Sequence, residues 1–140
     1  MRSIVVYLSL AAIVCLSGCG PAGNPQAETA AVAAAESWLS LVDSGQYAES
    51  WEQAAQLFRG AVQKEQWVRT MEAVRAPLGK NTSREVESTD YRTTVPGAPD
   101  GEYVVIQFRA SFENKKSAIE TITPMLDKDG RWRVSGYFIK

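Results

Sequence analysis

The stretch Tyr103-Val104-Val105-Ile106-Gln107-Phe108-Arg109-Ala110-Ser111-Phe112 decides how the rest of the chain is read. Val104, Ile106, Phe108, Ala110 and Phe112 fall on one side of a two-residue period, and Tyr103, Val105, Gln107, Arg109 and Ser111 on the other. Such alternation marks a strand with one face on a core and one toward solvent, the habit of antiparallel sheets. Upstream, Pro96-Gly97-Ala98-Pro99-Asp100-Gly101 is a loop that no strand tolerates, and residues 83–95 before it are β-branched and polar, a first strand. Downstream, Asn114-Lys115-Lys116 turns the chain into a strand at 117–126. Asp127-Lys128-Asp129-Gly130 is then a hairpin connection, with Gly130 where positive φ is needed. The last strand, 131–139, puts Trp132, Val134, Gly136 and Phe138 on its core face. Strands at about 83–95, 102–112, 117–126 and 131–139, joined by short connections, predict a four-stranded antiparallel sheet.

Before Leu78-Gly79 the period is 3.6 instead of 2. Asn24 is a good N-cap and Pro25 suits the first helical position, where its missing N–H costs nothing. Ala31, Ala35, Trp38 and Val42 share one helical face, and Gly45 supplies the stop, giving a helix at about 25–43. Tyr47, Trp51, Ala54 and Phe58 repeat the spacing over 46–58. Trp67, Met71 and Val74 do so over 62–76, until Pro77 and Gly79 break the pattern. One apolar face per element predicts an α+β domain over 25–140, with three N-terminal helices packed on one face of a curved four-stranded antiparallel sheet.

Residues 1–18 read differently. Arg2 is followed by the apolar run from Ile4 to Leu16, too short for the roughly 20 residues a bilayer core requires and ended by Gly20-Pro21. This is the layout of a cleaved signal peptide. Leu16-Ser17-Gly18-Cys19 resembles the bacterial lipobox, which places cleavage between Gly18 and Cys19 and a lipid on Cys19. Residues 19–24 form a lipidated tether that reaches at most roughly 20 Å, so the domain stays near the membrane surface. By resemblance to enterobacterial lipoproteins, Gly20 after the cysteine implies an outer-membrane protein facing the periplasm.

Removing 18 residues from 140 leaves 122, and because Arg2 is the only charge lost, 14 basic side chains face 16 acidic ones. A chain of that balance is not built to track nucleic-acid phosphates. Cys15 leaves with the signal and Cys19 carries lipid, so the domain must fold without a disulfide. There is no histidine, which disfavours triad hydrolases and most zinc or iron sites, and no cofactor is expected. The Asp127–Gly130 run lacks the further oxygen ligands and distal Glu of a calcium loop.

Several motifs carry a family resemblance. Trp38 with Asp43, Gly45, Tyr47 and Trp51, the run from Pro96 to Val105, Phe112 with Asn114-Lys115, Glu120-Thr121-Ile122-Thr123 and the run from Gly130 to Tyr137 look like the bacterial domain of unknown function 4019. The resemblance spans about residues 30–140 and implies a secreted or lipid-anchored envelope protein with no catalytic residues to carry over. The order of helices and then curved sheet is similar to the cystatin-like and nuclear-transport-factor-2-like cone, and fold order does not fix function.

A cone can hold a carboxylate and a tyrosine for acid–base work without metal or histidine. The pocket candidates are Tyr47, Trp51, Trp67 and Glu120, and Asp43, Asp90 and Tyr91 are further acid–base candidates. Glu120 faces the core if Ala118 and Ile122 do, and solvent if Ile119, Thr121 and Met125 do; alternation leaves both open. Facing inward, it pairs more readily with a neighbouring-strand arginine such as Arg109 or Arg133 than with a substrate. Tyr47 and the tryptophans lie on core stripes, and Asp43 reads as helix-end chemistry. The expectation is a membrane-anchored, non-catalytic module binding an envelope protein or small ligand. A small metal-independent isomerase or dehydratase is the alternative.

Overall fold

A computed structural model describes residues 23–140; the signal sequence, Cys19 and most of the tether lie outside them. Asn24 caps the first helix, α1 (Pro25–Asp43): its Oδ1 accepts the Ala27 N–H at 3.1 Å and its own N–H donates to Glu28 Oε1 at 3.3 Å. Ala31, Ala35, Trp38 and Val42 are buried, as their spacing requires.

The second predicted helix is two. Helices α2 (Tyr47–Glu52) and α3 (Gln56–Ala61) are separated at Ala54-Ala55, both fully buried. Ala55 is extended (ψ 151°) and its N–H donates to the Val134 carbonyl at 2.8 Å. A continuous helix would spend that N–H on itself, so docking on the sheet edge breaks a pattern whose apolar spacing alone reads as unbroken.

Helix α4 (Lys64–Arg75) and a 3-10 turn at Ala76–Leu78 complete the helical half. The buried stripe of α4 is Trp67, Met71 and Arg75; Val74, expected inside, is 38% exposed. The inward position one turn beyond Met71 therefore belongs to a cation.

The sheet is a meander of β1 (Asn81–Arg92), β2 (Tyr103–Phe112), β3 (Lys115–Leu126) and β4 (Trp132–Ile139), in that order and antiparallel throughout. The helices cover one face of it, and Leu39, Ile106, Phe108, Ile122 and Val134 meet between the layers. The turn at Glu113-Asn114 is tighter than expected, so β3 begins at Lys115. The first strand begins at Asn81 and ends at Arg92. Gly130 has φ +80° in the last hairpin, as its position requires.

Two outward expectations reverse. Tyr103 is buried beneath the preceding loop, its hydroxyl donating to the Pro99 carbonyl at 2.6 Å. In β4 the pairing slips between Thr123/Gly136 and Pro124/Val134, leaving Ser135 as an extra residue opposite a proline that has no N–H for the ladder. The bulge swaps the faces beyond it. Tyr137 turns inward onto Trp38, with ring centroids 5.5 Å apart, and Phe138, expected in the core, is 60% exposed. No helix among the described residues is long and apolar enough to cross a membrane.

Candidate functional site

Four elements deliver charge to one buried point. Asp43 ends α1, Arg75 ends α4, Arg84 comes from β1 and Glu120 from the middle of β3, where it is fully buried. Of the two readings of β3, the inward one is therefore realised: Ala118, Glu120, Ile122 and Pro124 face the helices. Arg84 Nε donates to Glu120 Oε2 at 2.6 Å and Nη2 to Oε1 at 3.1 Å, a bidentate pair. The bulge in β4 adds Tyr137, whose hydroxyl donates to Glu120 Oε1 at 2.6 Å.

Asp43 closes the outer side. It accepts from Arg84 Nη1 at 2.6 Å, Arg84 Nη2 at 3.0 Å and Arg75 Nη2 at 2.7 Å. Arg75 Nη1 lies 3.9 Å from Glu120 Oε1, and its guanidinium sits over the Phe112 ring, 4.8 Å from the centroid. Arg75 Nε and Nη1 have no hydrogen-bond partner. Two cations thus balance two carboxylates, Glu120 fully buried and Asp43 at the solvent side of the cluster, the condition under which buried charge is tolerated.

Burial opposes charge on Asp43, but the hydrogen bonds from Arg84 and Arg75 outweigh it and hold its carboxyl below the ordinary value. Burial also acts against both guanidiniums, and the bond to Asp43, joined for Arg84 by Glu120, more than reverses it. Tyr137 is pushed far upward, first by burial and then by the Glu120 carboxylate it faces, so the phenol stays protonated at neutral pH. The cluster has the residue types of an acid–base site. Its carboxylate oxygens are engaged by Arg84, Arg75 and Tyr137, and only Arg75 Nε and Nη1 keep protons without a partner.

The sequence-selected candidates divide accordingly. Glu120 enters the network, paired with Arg84 instead of Arg109 or Arg133, which are held outside by Glu85 with Glu87 and by Asp127 with Asp129. Asp43 belongs to the network and does more than end a helix. Tyr47 and Trp51 are half-buried against the core, and Trp51 Nε1 donates to the Val62 carbonyl at 2.8 Å. Trp67 Nε1 donates to Ser50 Oγ at 3.0 Å, and Trp38 Nε1 to the Ser50 carbonyl at 2.7 Å. These rings are wall and filling, and each of the three indole N–H groups is satisfied. Tyr91 donates to Glu102 at 3.0 Å, and Asp90 pairs with Arg92 on the surface.

Arg75, Arg84 and Tyr137 were not singled out by sequence. Arg75 had a signal, since it stands eight residues after Trp67 and four after Met71 on the α4 stripe. Tyr137 had none, because its direction depends on the bulge.

An open cleft lies elsewhere. A cleft of about 480 Å³ runs between α1, α2 and the start of β4, with Ser37 and Trp38 on one side, Glu49 and Gln53 on another, and Arg131 and Trp132 on the third. Gln53 Nε2 donates to Glu49 Oε1 at 3.1 Å. The cleft offers an aromatic wall, a carboxylate and a guanidinium, and neither Glu120 nor Tyr47 lines it.

A family model described as a protein of unknown function (DUF4019) matches residues 34–137, well over half of the chain. The chain belongs to the DUF4019 family. All five network residues and most of the cleft fall within the DUF4019 match, whereas the lipobox and the capped start of α1 precede it. No curated protein and no solved structure matches the chain. DUF4019 membership assigns no activity.

Proposed function

We propose that this DUF4019 protein is a lipid-anchored, periplasm-facing protein of the bacterial envelope, sorted to the outer membrane, whose domain binds without catalysing. The observation that carries the binding reading is the engagement of Glu120. Among the described residues Glu120 is the fully buried carboxylate; it is bonded to Arg84 and Tyr137 and lines none of the described clefts, so a substrate would have to break an ion pair to reach it. The Trp38–Trp132 cleft is open and carries separated polar groups over an apolar wall, the form of a small-molecule site. The anchor rests on Leu16-Ser17-Gly18-Cys19 and the apolar run before it.

Two measurements test the halves separately. Cys19→Ala in a Gram-negative host should move the protein from the membrane fraction to the soluble periplasm; retention in the membrane removes the anchor. For the cleft, intrinsic tryptophan fluorescence of the full chain titrated with envelope metabolites should respond, and Trp132→Ala should abolish the response at unchanged fold. A response that survives Trp132→Ala but vanishes in Glu120→Gln would place ligand at the network and favour the isomerase or dehydratase alternative.

A further inference from the structure

Strand β4 is an edge of the sheet, hydrogen-bonded along one side to β3. Lys140 and Ile119 exchange both backbone bonds, at 2.9 and 3.1 Å, and Phe138 stands opposite Thr121 two residues earlier. In an antiparallel ladder the residues between such pairs aim their N–H and C=O away from the partner, which leaves Tyr137 and Ile139 facing the open edge. Farther back, the edge is already used: the Val134 carbonyl accepts the Ala55 N–H. The unpaired length is the C-terminal half of β4, and it is where the bulge turns Phe138 out, the most exposed large hydrophobic side chain among the described residues.

The charge around this half is predominantly basic. Lys115-Lys116 open β3, the neighbour of β4, and Lys140 follows β4; Lys80, before β1 on the opposite edge, completes four lysines at one end of the sheet. None of the four has a carboxylate within 4.0 Å among the described residues. Glu113, in the turn between β2 and β3, accepts the Lys80 backbone N–H at 3.1 Å and keeps its charge, a single carboxylate among the four lysines. Asp43 and Glu120 are neutralised by the arginines. At the other end, where α1 begins and Glu28 meets Thr89 at 2.8 Å, Asp100, Glu102, Asp127 and Asp129 mix with Lys128, Arg131 and Arg133.

An open strand edge, an exposed phenylalanine beside it and unpaired lysines on the surrounding loops are complementary to one kind of occupant. We propose that the C-terminal half of β4 docks an acidic, extended segment of another protein, which pairs with Tyr137 and Ile139 as a fifth strand and covers Phe138. Main-chain bonds to the edge supply affinity, and the lysines select acidic over basic sequences. A lipid surface fits less well, because one exposed ring on a chain of slight net negative charge is a weak membrane anchor. A second copy would bring lysines to lysines if β4 met β4. The docking does not depend on the anchor; if the anchor holds, the tether enters at the opposite end and this edge is presented away from the membrane.

The test uses the full chain in detergent and three labelled, capped octapeptides, of alternating Glu-Val, Lys-Val and Glu-Gly. Fluorescence anisotropy should rise saturably with Glu-Val alone, and the affinity should fall at least about tenfold in Lys115→Glu/Lys140→Glu or at 1 M salt. Phe138→Ala should weaken binding, while Lys128→Glu at the other end should not. Hydrogen exchange should show the Tyr137 and Ile139 amides protected by the bound peptide. Equal binding of Lys-Val, absence of Glu-Val binding, or binding without protection of those two amides overturns the proposal. Phosphatidylglycerol vesicles captured with the same lysine dependence while Glu-Val is ignored would overturn it in favour of a membrane contact. Concentration-dependent self-association lost in Phe138→Ala would do so in favour of a second copy.

Discussion

Two arginine–carboxylate clusters of similar chemistry sit in this domain under opposite conditions. Arg84 holds Asp43 and Glu120 between helices and sheet, where Glu120 is fully buried and the Arg84 side chain is 13% exposed. Arg133 holds Asp127 and Asp129 across the last hairpin, where the Asp129 side chain is 52% exposed. The bond lengths are alike, 2.6 to 3.1 Å in the first and 2.8 to 3.0 Å in the second. Geometry therefore does not rank them, and solvent does. Losing Arg84 strands Glu120 away from water, whereas water replaces the partner of Asp129; Asp43 at 26% and Asp127 at 13% side-chain exposure lie between these extremes.

The largest effect is expected where stranding is complete. Arg84→Ala leaves Glu120 without its bidentate partner and should cost about 3–5 kcal/mol in urea unfolding; a loss under about 1 kcal/mol would mean that water reaches Glu120 and the two clusters are equivalent. Tyr137→Phe removes one bond to the same carboxylate and should cost about 2 kcal/mol. Its alkaline limb should change as well. The folded state holds this phenol protonated well above the ordinary value of 10.0, so the unfolded state releases its proton first and stability falls as pH rises past about 10. The phenylalanine variant should lose that part of the decline. Arg75→Met leaves the two carboxylates with one cation and removes the 2.7 Å bond to Asp43, but Asp43 keeps both bonds from Arg84, two unpartnered guanidinium nitrogens disappear and an apolar stem remains over Phe112, so the cost should be about 2 kcal/mol, below that of Arg84→Ala.

The same contrast separates what the sequence discloses from what it conceals. Residues governed by a single period were legible: Ala31 to Val42 on α1 and Val104 to Phe112 on β2 are buried where spacing puts them. Positions set by two elements at once were not. The break at Ala54-Ala55 exists because Val134 takes the Ala55 N–H, and the exchange of Tyr137 for Phe138 exists because β4 slips opposite Pro124. Glu120 lay between, since its type announced chemistry while its direction was undecided, and the arginines that answer it lie 45 and 36 residues earlier on α4 and β1.

Acid provides the finest distinction. Both Asp43 and Asp129 titrate low; Asp129 is held at about 2, chiefly by Arg133, against an ordinary 3.8. Read as linkage alone, Asp129 looks an important contributor, because the unfolded chain takes up its proton first and stability falls as pH drops below about 4. Exposure argues otherwise: salt and water screen a hairpin pair that the folded chain can relax around. Asp43→Asn should therefore flatten the decline in melting temperature between about pH 5 and pH 2 in low and in 1 M salt alike. Asp129→Asn should shift the neutral melting temperature by less than about 2 °C and lose any acid effect in 1 M salt. An acid effect of Asp129→Asn that persists in high salt would show the hairpin cluster shielded from solvent as the buried one is, and the contrast would then rest on geometry after all.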